Sequence, residues 1–564
     1  MKKPIKLKKM ALLCLTLIGW AGAAQAETVN VSTQAEFASA YKTAANATDG
    51  TETTIVMAAG NYDGTDIRWQ QLEIPMVRKV TLQAADGAAV SLKIKVNSYE
   101  ANRRGSLIFD GIKIIPSVSD FISMGNNTSN IGDIIFRNCE ITSDGSFTRC
   151  LVIGGNAANT INSIQIDNCR IHDCGTGYNF IYSDHIVKSV SVTNSTLFNY
   201  GGESLFFAKN ISTELAFNFT FCNNTVYQWA NTSSSRRAFA AVGDKLSSSS
   251  TFTFKDNIIC GYNGYTEGST VTNDNFVLVQ TQNGGTINIL NNILLGFKNN
   301  DATPNKDKTI WGTGNPVKTI TNAWPYDGDL STTFGFDKIP FADAANGDFT
   351  LDITNYPKLA TCSSVGSLIG APQHGKYVLT VSDAKAATLT LPFATTIPDG
   401  VEAYTLSYTS GDKATATPVA TTLPAHTPVL INANAGTYAF TATGVAETVA
   451  TDTPQSGALT GAYVLTNVPT DSYVLQNNND KVGFYKVTSE APQQINPFRA
   501  YLTAGSEARM LGIGFDGEIT GISALQNDTE RMADDRIFYD LQGRRVAQPS
   551  KGLYIVNGKK VMVK

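Results

Sequence analysis

A short apolar pattern recurs in the first half of the chain at intervals of roughly 30 residues. In each copy, apolar residues alternate with other residues, a small or amide residue stands fifth, and an apolar residue closes the pattern. The copies are LIFDGIKI (107–114), IIFRNCEI (134–141), IQIDNCRI (164–171), VSVTNSTL (190–197), FTFCNNTV (219–226), FTFKDNII (252–259) and INILNNIL (287–294). A repeat of this length determines the architecture before any motif is considered.

The spacing of this repeat excludes most β architectures. Alternation with a period of two predicts a short strand with one buried face. One strand and one turn per repeat are too few for a meander of hairpins, and the intervening segments have no helical periodicity. The sequence therefore predicts an all-β fold whose N-terminal part is a right-handed parallel β-helix, or solenoid.

The fifth position of the repeat predicts a turn, because Gly and Asn accept a left-handed backbone. Stacked coils would form an asparagine ladder from Asn138, Asn168, Asn194 and Asn223. Cys139 and Cys169 would stack beside it as buried thiols. A second strand per coil is predicted at FISM, LVIG, FIYS, LFFA, FAAV and FVLV, beginning at Phe121, Leu151, Phe180, Leu205, Phe239 and Phe276. The segment Gln34–Ala45 is predicted as an amphipathic helix that caps the first coil.

The N-terminus has the features of an export signal. A basic segment, an apolar run and the sequence AQA predict a signal peptide that is cleaved after Ala26. Without residues 1–26 the chain has 39 Lys and Arg against 48 Asp and Glu, a net charge of −9. This balance argues against a nucleic-acid ligand. No later stretch is apolar enough to span a bilayer, so we expect a monomer that is secreted or on the outer cell surface.

The cysteines predict neither zinc nor a disulfide framework. Seven remain once Cys14 is removed with the signal peptide, an odd number without CxxC spacing. Buried free thiols are the expected alternative.

Ionisable residues concentrate beside the second strands between residues 150 and 245. Alignment of these strands places Arg149 in a column with Tyr178, Glu203 and Arg237 just before each strand. The residues just after the strands are Asp184, His185, Lys209, Asp244 and Lys245. The clustering predicts a groove for an acidic polysaccharide. The alternative is that these charges form solvated pairs at the coil edges.

The groove suggests β-elimination, which needs a neutralised carboxylate and a base. The predicted catalytic residues are Lys209, His185 and Arg149. The predicted substrate-binding residues are Tyr178, Tyr182, Trp229, Arg237 and Lys245. Asp184, Glu203 and Asp244 are predicted to hold Ca²⁺. Hydrolysis is disfavoured because no set of carboxylates has the required pattern.

The composition changes after about residue 377, where short alternating strands and frequent turn signals predict a β-sandwich. From Ile537 the sequence IFYDLQGRRV…KGLYIVNGKKVMVK predicts three further strands. The predicted organisation is a signal peptide (1–26), a β-helix (27–372), an accessory β-sandwich (377–520) and a sorting-type β unit (530–564).

Two segments resemble known families. The tail DLQGRRV…GLYIVNGKKVMVK resembles C-terminal domains of proteins exported by Bacteroidota, including type IX secretion cargo. Residues 80–300, with LIFDGIKI and VSVTNSTLFN, are similar to pectate-lyase-like β-helix families of those bacteria. This resemblance implies the fold and an extracellular glycan setting. The chain departs from characterised pectate lyases at their calcium and catalytic-arginine segments, so no catalytic residue is transferred.

Three functions remain open from the sequence. The first is a polysaccharide lyase that acts on a uronate-rich, pectin-like glycan. The second is a non-catalytic glycan-binding surface protein, since the same groove without a base would still bind. The third is an adhesin or structural stalk, because a fold alone does not define a function.

Overall fold

The computed structural model describes most of the chain from residue 26 onward, although in several strands it describes only the backbone. The described residues are 26–63, 71–98, 102–117, 120–124, 130–143, 149–153, 160–174, 180–183, 186–200, 205–208, 216–229, 238–242, 247, 249–260, 275–279, 285–294, 317–321, 341–360, 368–371, 375–443, 453–479, 481–515, 538–539, 545–546, 552–556 and 559–563.

The N-terminal half is a stack of parallel strands in three sheets, numbered here in chain order. The first sheet consists of β1 (Glu27–Val31), β2 (Thr53–Met57), β5 (Lys79–Ala84), β7 (Ser106–Asp110), β10 (Asn130–Arg137), β13 (Thr160–Asp167), β16 (Ile186–Thr193), β19 (Asn218–Cys222), β22 (Thr251–Lys255), β25 (Thr286–Leu290) and β27 (Val317–Thr321). The second sheet consists of β3 (Gly60–Tyr62), β6 (Val90–Ser98), β8 (Lys113–Pro116), β11 (Glu140–Thr142), β14 (Arg170–His172), β17 (Thr196–Tyr200), β20 (Thr225–Trp229), β23 (Ile258–Cys260) and β26 (Ile293–Leu294). The third sheet shares β6 and adds β4 (Gln71–Glu73), β9 (Asp120–Met124), β12 (Arg149–Ile153), β15 (Ile181–Ser183), β18 (Phe206–Ala208), β21 (Ala238–Val242) and β24 (Asn275–Val279).

Each coil pairs in parallel with the next, so equivalent residues form columns inside the stack. In the first sheet Phe109 pairs with Phe136, and their rings stack with centroids 5.0 Å apart. Phe221 and Phe254 continue the same column further along, and all four side chains are fully buried. The predicted all-β fold with a right-handed parallel β-helix is confirmed.

The turn that joins the first sheet to the second has the predicted backbone. Its residue has a positive φ in every described coil that carries the repeat, between 50° and 70°. These residues are Gly111, Asn138, Asn168, Asn194, Asn223, Asp256 and Asn291. The amide of Asn168 donates to that of Asn138 at 2.7 Å, whereas Asn194 donates to Asp167 instead. The predicted ladder is therefore continuous in backbone conformation but interrupted in its side-chain hydrogen bonds.

A second amide ladder lies one residue further on and is buried. The side-chain oxygen of Asn257 accepts from the Asn224 backbone N–H at 2.9 Å. The Asn257 amide nitrogen donates to Asn292 at 2.7 Å and to the Phe221 carbonyl at 2.8 Å. Earlier coils place Cys139 and Cys169 in this column, both buried as predicted. These bonds satisfy backbone groups that the turn would otherwise leave unpaired in the core.

A helix covers the first coil, as predicted. Helix α1 (Gln34–Asn46) begins at a capping box in which Thr33 and Glu36 exchange hydrogen bonds. Phe37 and Tyr41 on its inner face are buried. Arg103, only 2% exposed, donates to the Ile74 carbonyl at 2.7 Å and so connects the cap to the next coils.

The chain after residue 340 forms further, mainly antiparallel sheets. One contains β28 (Phe341–Asp343), β29 (Asp348–Asp352), β30 (Gly375–Val381) and β37 (Gly436–Thr441), with 3-10 turns at Ala344–Asn346 and Pro357–Ala360. A ten-stranded sheet contains β31 (Ala386–Leu389), β36 (Val429–Ala433), β33 (Val401–Ser407), β34 (Lys413–Val419), β45 (Met510–Phe515), β42 (Lys481–Lys486), β41 (Ser472–Asn478), β44 (Arg499–Thr503), β39 (Leu459–Ala462) and β38 (Gln455–Ser456). The short pairs are β32 (Thr395–Thr396) with β35 (Thr422–Leu423), and β40 (Thr466–Asn467) with β43 (Gln494–Ile495). The tail forms β46 (Phe538–Tyr539), β47 (Arg545–Val546), β48 (Gly552–Val556) and β49 (Lys559–Val563).

One predicted register is wrong. The sequence alignment placed Leu151 opposite Phe121 and Phe180, but Leu151 pairs with Ile122 and Ile181. Arg149 consequently pairs with Asp120 and lies one position away from the predicted column. A shift of one residue moves a side chain to the opposite face of a strand. LVIG is so uniformly apolar that its alternation could not fix the register.

Candidate functional site

The outward face of the second sheet carries a column with one residue from every coil. Its first members are polar or charged, and its last members are apolar. In order along the stack they are Asn61, Ser91, Lys113, Glu140, Arg170, Thr196, Thr225, Ile258 and Ile293. Each is the immediate neighbour of the next in the parallel register, so the column is continuous.

The apolar end of this column is covered by residues 341–360 and 368–371, here called the return segment. The Thr225 hydroxyl accepts from the Ala371 N–H at 3.0 Å. Gly370 has a φ of 79°, and a Cβ there would lie 2.7 Å from the Thr225 hydroxyl oxygen. Ile258 and Ile293 belong to the same buried cluster as Leu351 of β29. The return segment therefore seals the later coils.

Arg170 holds the leading edge of the return segment. Its guanidinium donates to the Gly347 carbonyl at 2.7 Å and lies 4.7 Å from the centroid of the Phe198 ring. Phe349 also packs against Phe198, with centroids 4.9 Å apart. Burial lowers the pKa of Arg170 while the neighbouring carboxylates oppose that change, and a guanidinium remains charged under both influences.

The charged end of the column is open and borders a cleft of about 450 Å³. Asn61, Ser91, Lys113 and Glu140 line the cleft from successive coils, together with Asn138 of the turn. Lys93 and Lys95 project from the same outward face of β6 as Ser91. The cleft thus presents amides, a hydroxyl and charged groups along the stacking direction.

A charged cluster adjoins the cleft at its border with the covered coils. Lys113 Nζ lies 2.7 Å from Glu140 Oε1, and the same oxygen lies 3.2 Å from His172 Nε2. His172 Nδ1 lies 2.7 Å from Asp173 Oδ2, and the other Asp173 oxygen accepts from the Asn199 amide. The imidazole stacks on Phe198 with centroids 4.9 Å apart. His172 is therefore positioned by a ring on one side and carboxylates at both nitrogens.

The two carboxylates of this cluster are stabilised in their charged form. Burial raises the pKa of Glu140. The hydrogen bonds and charges of Lys113 and His172 lower it by more, so the pKa of Glu140 lies below its ordinary value. The pKa of Asp173 is lowered in the same way, since hydrogen bonds from His172 and Asn199 outweigh its burial. Both residues are therefore acceptors at neutral pH.

The cluster has two chemical capabilities. A neutral imidazole carries a proton on only one of its two nitrogens. When Nδ1 of His172 donates its proton to Asp173, Nε2 is the nitrogen that can accept a proton. Lys113 supplies a cation that can pair with a ligand carboxylate in place of Glu140.

None of the residues predicted from the sequence alone is among the described residues of this cluster. Only three have a described backbone: Arg149 in β12, Tyr182 in β15 and Trp229 in β20. Tyr182 pairs with Val152 and Phe207, and Trp229 pairs with Tyr200. The remaining predicted residues lie outside the described part of the chain: Tyr178, Asp184, His185, Glu203, Lys209, Arg237, Asp244 and Lys245.

The open-face cluster was missed from the sequence although its signal was present. The seventh position of the repeat reads Lys, Glu, Arg, Thr, Thr, Ile and Ile in successive copies. This is the outward column itself, and its change from charged to apolar marks where the return segment begins to cover it. The strands were predicted from the inward positions of the repeat, and the seventh position lies on the outward face, so the open-face cluster was not predicted.

The described residues show neither a metal-binding group nor a membrane-spanning helix. No group of three or more His, Cys, Asp or Glu side chains there is arranged to hold a metal ion. None of the helices there is long and apolar enough to cross a membrane.

Comparisons with known proteins place the chain at a distance from characterised families. No protein-family profile matches it, and no curated protein matches it. A solved structure of a PL6 family alginate lyase, AlyGC, matches with a TM-score of 0.33 and 12% sequence identity. The match covers 54% of this chain and 40% of the lyase. So distant a match assigns no role to any residue of this chain.

Proposed function

We propose that this protein binds an extracellular acidic polysaccharide of the pectin type along the open face of its β-helix. The observation that carries the proposal is the open cleft itself. Amide, hydroxyl and lysine side chains follow one another there at the spacing of stacked strands, about 4.8 Å. A linear polymer that runs along the stack would meet one polar or charged side chain at each coil.

The charges of the cleft support an anionic ligand. Lys113 is 43% exposed and therefore accessible, although it pairs with Glu140. Lys93 and Lys95 lie on the same outward face. A polymer carboxylate would replace the Glu140 carboxylate at Lys113, so the lysine would remain paired.

The export features of the sequence agree with an extracellular ligand. The signal peptide 1–26 would direct the chain out of the cytoplasm, and the sorting-type tail would engage a type IX secretion machinery. We propose a secreted or surface-attached monomer on this basis. Ca²⁺ at Asp184, Glu203 and Asp244 remains a prediction.

Binding is tested by affinity electrophoresis through gels that contain polygalacturonate, alginate, a glycosaminoglycan or neutral dextran. Retardation by a uronate polymer, but not by dextran, is expected. Lys113→Met should weaken binding about tenfold, since it removes a charge-assisted bond and leaves Glu140 to repel the ligand. Lys188→Met is the matched control, because Lys188 is an exposed lysine of the first sheet. Equal retardation in the uronate and dextran gels would refute the proposal.

A second candidate, a β-eliminating lyase, is favoured by the paired His172 and Asp173. β-Elimination leaves a C4–C5 double bond, which ultraviolet absorbance detects in the product. Formation of this product, with loss in His172→Gln, would place the base on the open face. Loss in Lys209→Ala instead would place it beside the third sheet. If no uronate polymer yields this product, with Ca²⁺ or with EDTA, the lyase candidate is wrong and only the binding function remains.

A further inference from the structure

The ten-stranded sheet contains a second cleft, of about 380 Å³, far along the chain from the open face. It lies between the edge strand β31 and strands β41 and β44. The two sides are joined at Thr388, where Arg499 Nη1 donates to the Thr388 carbonyl and the Ala500 N–H donates to the Thr388 hydroxyl, both at 2.9 Å, and beyond it the Thr390 N–H donates to the Phe498 carbonyl at 3.0 Å. Elsewhere the small side chains of Ala386 and Ala387 leave the space open.

The charge of this cleft comes from a single residue. Its described lining contains one cation, Arg499, and no Asp or Glu. Arg499 is half-buried and forms no ion pair within the described part of the chain. A guanidinium has five N–H donors in a planar fork, and the Thr388 carbonyl takes up one side of it. The remaining donors suit a carboxylate, which would also offset the desolvation of the buried charge.

The rest of the lining suits a ligand rich in hydroxyl groups. Amide and hydroxyl side chains supply both donors and acceptors. They are Gln476, Asn477, Gln494, Asn496, Thr380 and Ser382. Gln494 is already positioned, since its amide donates to Asn467 at 2.7 Å. A cleft of this kind, with a few placed polar groups around one cation, is typical of a small-ligand site.

We propose that the Arg499 cleft binds a sugar residue that carries a carboxylate. The ten-stranded sheet would then be a second attachment point for the polysaccharide, and two sites on one chain would increase avidity. The cleft itself calls for a carboxylate with hydroxyl groups. The choice of a uronate among such ligands rests on the function proposed above.

The test is a calorimetric titration of the full chain with a uronate trisaccharide. The wild type is expected to bind two molecules per chain, one in each cleft. Arg499→Met should weaken one of the two sites by at least about tenfold, the effect of losing a charge-assisted bond. Lys413→Met removes the same charge from an exposed position of the same sheet and should bind as the wild type does.

A second pair of variants guards against unfolding of Arg499→Met. Ala386→Glu would place a carboxylate beside Arg499 and occupy its free donors, whereas Ala386→Gln adds similar bulk without charge. The glutamate variant should lose the same site, and the glutamine variant should retain at least part of its affinity. Equal binding by the two variants would overturn the inference.

The remaining outcomes separate this inference from the proposed function. If Lys113→Met abolishes all binding while Arg499→Met changes none, the Arg499 inference is wrong and the open-face proposal stands. If Arg499→Met abolishes all binding, the Arg499 inference stands and the open-face proposal is wrong. No binding by the wild type overturns both. Tighter binding of a peptide with a free terminal carboxylate, or of a sulfated sugar, would overturn the assignment to uronates.

Discussion

Asn138 shows how a single residue type sets the turn between two sheets of the β-helix. Its φ of 56° is unfavourable for most side chains, and its equivalent one coil earlier is Gly111. Asn138→Val should therefore lower the free energy of unfolding by about 1–2 kcal/mol more than Asn138→Gly does, since both variants lose the side-chain bonds to Asp110 and Asn168. Urea unfolding of both variants checks this difference. Equal stability would mean that the turn relaxes into another conformation.

The carboxylates beside His172 predict how stability depends on pH. The folded state holds the pKa of Glu140 below its ordinary value of 4.5. Its contribution is therefore complete above that value and is lost as the pH falls through the folded pKa. Because Glu140 is partly exposed, we expect only about 0.5–1 kcal/mol. Glu140→Gln should be less stable than the wild type at pH 7, and the difference should shrink in acid. A difference that is independent of pH would contradict this account.

At the element scale, the buried amide ladder predicts that truncation of one side chain, Asn257, strongly lowers the free energy of unfolding. Asn257→Ala would remove the side-chain bonds to the Asn224 N–H and the Phe221 carbonyl in the core, and the Asn292 oxygen would keep only the backbone N–H of residue 257. We expect a loss of about 3 kcal/mol in the free energy of unfolding. Asn162→Ala is the control, since Asn162 makes an exposed bond to Asp133. Similar urea midpoints for the two variants would mean that water replaces the ladder.

The strands show what the repeat could and could not predict. The fifth position predicted the left-handed turn between the first and second sheets in each copy of the repeat, since that conformation is a property of single residues. Burial of Cys139 and Cys169 at the sixth position was predicted, but the amide ladder at Asn224, Asn257 and Asn292 was not, because an Asn suits an exposed turn as well as a buried one. The register of Leu151 failed because LVIG is uniformly apolar.

The fold could be predicted from the sequence, whereas the predicted site stays a prediction. Sequence clustering pointed to the ends of the third-sheet strands, and apart from Arg149 its charged residues lie outside the described part of the chain. The open-face cluster depends on Gly347 and Phe349 packing against coils more than 140 residues away. Long-range packing of that kind leaves only an indirect trace in the sequence, the loss of charge along the seventh position.

At the scale of the whole molecule, the buried thiols report on the integrity of the stack. Burial raises the pKa of Cys169 and Cys174, and it raises the pKa of Cys222 to about 11. Only the thiolate reacts with alkylating reagents. Cys169 and Cys174, which are fully buried, should therefore be modified only when the coils open, as peptide mapping after iodoacetamide treatment in increasing urea would show. Rapid modification of Cys169 in the native protein would contradict a closed stack.

The return segment would also limit how much of the proposed polysaccharide ligand one molecule can contact. The open part of the second sheet comprises four strands, β3, β6, β8 and β11, before Arg170 of β14 and Gly347 close it. At about 4.8 Å between strands this is roughly 20 Å. Affinity should rise with oligosaccharide length only until that distance is filled. A longer chain would have to leave the surface at Phe349, so binding would favour a free polymer end over an internal stretch.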